Sequence, residues 1–107
     1  MTRRPLDSNH QSIVHGLIAE AVRLGADTIE VEYRDGYEDV SVLKGGIGFG
    51  IARFPSSGGQ AASLRKELHS LRKKRVKVAV SGVAYEIRTR ADERFAEQAF
   101  EVRLRRI

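Results

Sequence analysis

A chain of 107 residues suffices for one domain with its own hydrophobic core, and 41% hydrophobic with 31% charged residues is an ordinary globular composition. The absence of cysteine excludes disulfides and thiolate metal sites, and no apolar run approaches a bilayer span, so a cytoplasmic protein without membrane insertion is expected. The net charge of +5 is divided unevenly: residues 1–60 hold six Lys/Arg against eight Asp/Glu, residues 61–107 thirteen against six. The basic character belongs to the second half, which directs attention to a phosphate-bearing or acidic partner, against the plainer reading of a solvated face.

Residues 1–7 are expected to form a flexible N-terminus, with Pro5 delaying the first helix, and 8–107 a single domain. Ser8 and Gln11 form a capping-box pattern, Ile13, Leu17, Ala21 and Leu24 recur at helical spacing, and Gly25 supplies a left-handed stop. Three strands follow, near 28–34, 38–44 and 47–53. A two-residue turn at Asp35-Gly36 pairs Val31 with Val40 and Ile29 with Val42; a second at Gly45-Gly46 pairs Val42 with Phe49 and Val40 with Ile51. All six residues then share one face.

Pro55 to Gly59 forms a loop ending in a second capping pattern, Ser57 with Gln60, and Leu64, Leu68 and Leu71 give helix two an apolar stripe, with Arg65, Lys66, His69, Arg72 and Lys73 outward. Val76, Val78 and Val80 alternate into a Ser81-Gly82 turn that pairs them with Ile87, Tyr85 and Val83, and Phe100, Val102 and Leu104 form a last strand. Tyr33, Phe49, Tyr85 and Phe100 all have core parity. The order αβββαβββ implies an α+β domain, simplest as a two-layer sandwich of antiparallel meanders covered by two helices, in one sheet or two.

The stretch GADTIEVEYRDGYEDVSVLKGGIGFGI resembles the entry into the N-terminal, PAS-like pre-motor domain of type II secretion and type IV pilus assembly ATPases, which reads as a helix, GASDIHIEP and a strand ending in RxDG. Gly25, Ala26, Ile29, Glu32 and Gly46 hold matching places, and Arg88, Thr89, Glu97, Arg103 and Leu104 lie on or near the family's closing pattern, so the likeness runs from about His15 to Leu104. The resemblance implies an assembly module beside a motor. The departures imply a stand-alone, degenerate one: Glu30 replaces the family's histidine, Ser41 and Leu43 occupy the places of two arginines of which at least one can face nucleotide, and Gly45 replaces the aspartate of the turn.

The residues themselves offer little for catalysis. No GxxxxGK[ST] is present, and GGIGFG runs from one strand into another, whereas a dinucleotide loop runs from a strand into a helix. His10, His15 and His69 lack ligand spacing, so no metal and no cofactor is expected. Ser57, Gly58 and Gly59 at the start of helix two, with Arg65 nearby, form a weak anion-site candidate. The cluster Arg72, Lys73, Lys74, Arg75 and Lys77 supports phosphate contact, without an RNA-binding motif or outward stacking aromatics. The partner-binding candidates are Glu30, Glu32 and Asp39 on the first meander and Arg88, Arg103 and Arg105 on the last strands. The expectation is a non-enzymatic interaction or assembly module that binds a protein or self-associates, the alternative a phosphate or nucleic-acid binder using the basic 65–77 cluster.

Overall fold

The computed structural model describes residues 12–72, 74–94 and 97–107. In chain order these form α1 (Ile13–Leu24), β1 (Thr28–Arg34), β2 (Tyr37–Lys44), β3 (Ile47–Pro55), α2 (Gly59–Leu71), β4 (Arg75–Val80), β5 (Val83–Arg94) and β6 (Glu97–Arg106). The protein is α+β, with all six strands in one antiparallel sheet of order β3-β2-β1-β6-β5-β4. The first and last strands meet at its centre, where Ile29 faces Val102 and Val31 faces Phe100.

Local chemistry explains each hairpin. Asp35 and Gly36, Gly45 and Gly46, and Ser81 and Gly82 all have positive φ, the conformation whose twist matches a two-residue hairpin. The turns place Val31 opposite Val40, Val42 opposite Phe49 and Val78 opposite Tyr85, as the alternation predicts. One pairing differs: a bulge between Val40 and Ser41 sets Val40 against Ala52, leaving Ile51 as the extra residue. Core parity also fails to bury Phe49 and Tyr33, which are 50% and 40% exposed. For Phe49 the reason is the footprint of α2, which leaves the far end of β3, crosses towards β5 and leaves the N-terminal half of β3 uncovered; Tyr33 is the last residue but one of β1, at the hairpin end of that strand.

On the covered face, Val14, Leu17, Ile18 and Ala21 of α1 and Leu64 and Leu68 of α2 pack with Ile29, Val31, Val40, Val42, Ile87, Phe100 and Val102. The His69 ring meets Phe100 edge-on at 5.0 Å, so it is not simply outward. The Ser8 and Gln11 capping pattern lies outside the described residues; α1 is capped by Ser12, whose Oγ accepts from His15 N. Gly25 ends the helix with φ 77°.

Two carboxylates tie the helices down. Glu67 of α2 accepts from the backbone N–H groups of Ile13 (3.0 Å) and Val14 (2.9 Å), occupying the amides that begin α1. Glu38 of β2 shares parity with Val40 and Val42, so it points inward; Arg65 pairs with it at 3.0 Å, and Ser56 Oγ donates to the same oxygen. Arg65 is therefore an internal partner rather than an outward cation. It also donates to the Ser56 carbonyl.

Replacing Glu67 by alanine is expected to lower unfolding free energy by about 1–2 kcal/mol, because two helix-end amides lose a charged acceptor; urea denaturation measures this. Arg65→Ala, which strands the buried Glu38 carboxylate, is expected to cost about 2–3 kcal/mol in the same measurement, and the double variant Glu38→Leu with Arg65→Met to recover most of it. Thr89 is buried and its Oγ1 has no hydrogen-bond partner among the described residues. Thr89→Val is expected to stabilise the fold by about 1 kcal/mol, read as a raised denaturation midpoint.

Candidate functional site

The two helices share one face of the sheet, so strand alternation sends every second side chain to a face without a helix. Hairpin registers arrange those side chains in rows. One row runs Arg75, Arg88, Arg103, Thr28 from β4 to β1, and the next runs Arg90, Glu101, Glu30, Ser41 from β5 to β2. A third runs Asp92, Ala99, Glu32, Asp39, Arg53 from β5 to β3. The face grades from cationic at β4 and β5 to mixed and acidic at β1 and β2.

Several charges on this face pair with near neighbours. Arg53 meets Asp39 at 2.7 Å and lies over the Tyr37 ring, and Arg34 meets Glu32 at 2.8 Å. In the second half Arg105 meets Glu86 at 3.0 Å, and Arg103 meets Glu101 at 3.3 Å. Glu30 stands half-buried directly opposite Glu101, with Glu32 two residues along its own strand. Two open hollows, of about 130 and 550 Å³, lie on either side and share Glu30 and Glu32 as lining residues. Like charges opposed across an antiparallel pair are unfavourable for the sheet alone.

The six partner-binding candidates, Glu30, Glu32, Asp39, Arg88, Arg103 and Arg105, thus lie on one surface. Of the anion-site group, Gly58 and not Ser57 caps α2, without a side-chain cap, and Arg65 is held by Glu38 and the Ser56 carbonyl. The basic run 65–77 is also divided. Arg72 closes α2 and Lys74 lies in the following loop, while Arg75 and Lys77 alternate onto the uncovered face; Lys73 lies outside the described residues.

Sequence reading missed the row of three arginines, whose members come from three strands and are joined only by register. It missed Glu67 because a helix-end acceptor from another helix leaves no local pattern. Glu38 did carry a signal, since a carboxylate at core parity requires a buried partner. On the exposed side of α1, hydrogen bonding to Arg23 holds the Glu20 carboxyl below its usual range. Among the described residues no group of three or more His, Asp or Glu is placed to hold a metal ion, and no helix is long and apolar enough to cross a membrane. No protein-family model matches the chain, and no curated protein matches it either.

If Glu30 is kept for recognition rather than for stability, Glu30→Thr should raise stability by about 0.5 kcal/mol, through relief of repulsion and better strand propensity. Thermal unfolding of the two proteins checks the sign.

Proposed function

We propose that this chain is a non-catalytic interaction module of two-layer α+β design that docks a protein partner on the uncovered face of its sheet. The observation that carries this reading is the assembly of six charged residues from four strands on one broad, helix-free surface with opposed carboxylates at its centre. A partner that brings a cation to Glu30 and a carboxylate to Arg88 relieves that opposition and complements both ends of the gradient. The resemblance to the pre-motor domain of secretion and pilus ATPases agrees with such a role. Along the sequence, the likeness begins within α1 and passes through Gly25 and β1–β3. In this reading the module acts in the cytoplasm, without a cofactor, and contributes no nucleotide-facing arginine.

The second reading, a phosphate or nucleic-acid binder, draws on a specific feature: the Arg75, Arg88, Arg103 row, spaced by one strand separation per step and extended by Lys77. Binding of this kind weakens steeply with salt, because neutralised phosphates release counterions.

The two readings separate in one set of measurements. Co-purification from cells that produce the protein, comparing wild type with Glu30→Lys and with Arg88→Glu/Arg103→Glu, is expected to lose the same protein partner in both variants. Titration with single-stranded and duplex nucleic acid at low salt is expected to show no saturable binding. Loss confined to the arginine variant, together with nucleic-acid affinity that falls about tenfold or more between 50 and 200 mM salt, would instead establish the second reading. Micromolar binding of Mg-ATP by calorimetry would contradict the first reading.

A further inference from the structure

The sheet has two edges, and they differ in how they are guarded. Edge strand β4 carries Arg75 and Lys77, charges that discourage pairing with a like strand. Edge strand β3 carries no charge between Gly45 and Ala52, and its side chains there are Ile47, 63% exposed, Phe49, 50% exposed, and Ile51. In a two-residue hairpin the residues flanking the turn form the first hydrogen-bonded pair, so Ile47 and Phe49 turn their backbone groups towards β2. Gly48 and Gly50 turn theirs outward to the open edge.

Nothing among the described residues requires glycine at position 50. A Cβ added there meets no atom within 4 Å, and its φ is not in the left-handed region. Glycine inside a strand weakens it, and a close approach by another backbone is one of the recurring reasons for its presence. The bulge at Ile51 twists the edge just beyond this segment and so bounds the length available for pairing.

We propose that β3 pairs with β3 of a second copy of this chain, antiparallel about a two-fold axis at Phe49, extending the sheet across both protomers. This register sets Gly48 against Gly50 of the other copy twice over, so that the outward N–H and C=O groups of both glycines bond. Phe49 meets its own mate at the close, non-hydrogen-bonded position, and Ile47 meets Ile51. A second copy is the occupant the edge selects, because the segment is neutral and self-complementary in this register, while β4 against β4 opposes cations. The contact offers roughly a third of the ~800 Å² per partner of a standard interface, so dissociation is expected on the order of 0.1 mM. The pairing does not use the uncovered face and stands independently of the function proposed for it.

Sedimentation equilibrium of the full chain from about 10 μM to 1 mM, with amide exchange followed by NMR, tests the proposal. Mass is expected to approach that of a dimer, with the Gly48 and Gly50 amides gaining protection as concentration rises. Phe49→Lys, which replaces an exposed ring, and Gly50→Pro, which removes an outward donor, are each expected to weaken dimerisation at least tenfold. Raising salt from 0.1 to 0.5 M should change it less than about twofold, unlike binding by the charged face. A monomeric mass throughout, growth beyond the dimer, or a dimer unaffected by both variants would each overturn it.

Discussion

The ladder between β1 and β6 joins what would otherwise be two separate meanders. Thr28 to Glu32 pair with Ala99 to Arg103, and Leu104 N–H extends the ladder by donating to the Asp27 carbonyl. Because these partners lie some seventy residues apart in the chain, their closure entropy is met only once both hairpin sets exist to share it. The core follows from the same contact: Ile29, Val31, Phe100 and Val102 lie side by side beneath the helices, and all are almost fully buried. Neither meander alone presents a face wide enough to bury both helices.

Charge is handled differently on the two faces. On the covered face, Glu38 and Glu67 each have a defined set of donors, as buried or half-buried carboxylates require. Glu67 places a negative charge at the amide end of α1 and thereby couples the two helices to each other as well as to the sheet. On the uncovered face, the pairs are exposed, worth little individually in water, and arranged by strand register rather than by mutual burial. Such a surface contributes little to stability and is free to be shaped by recognition.

The same contrast distinguishes the sheet edges. Strand β4 is short and carries cations, while β3 is longer, neutral in its first half and rich in glycine. The difference cannot be traced to the helices, since α2 comes close to β3 only where it departs from it. It resides in the side chains that each edge presents and in the backbone groups that Gly48 and Gly50 leave uncovered.

Hairpin register was legible in the sequence because both of its determinants are local: turn dipeptides that accept positive φ, and apolar residues alternating with period two. That is why Val31 with Val40, Val42 with Phe49, and Val78 with Tyr85 follow from reading alone, and why the charged candidates could be assigned to outward positions. The bulge at Ile51 leaves no comparable signal, so the register past Val40 could not be read. Burial of Phe49 was overestimated because parity specifies a face and only the path of α2 specifies how far that face is covered. The pairing of β1 with β6, the Arg75, Arg88, Arg103 row and the Glu67 clamp were decided by tertiary structure, because each joins residues distant in the chain through the geometry of a completed sheet. What the sequence determined by itself were the elements, their turns and the faces of their side chains; which strands become neighbours depends on non-local burial that no short window contains.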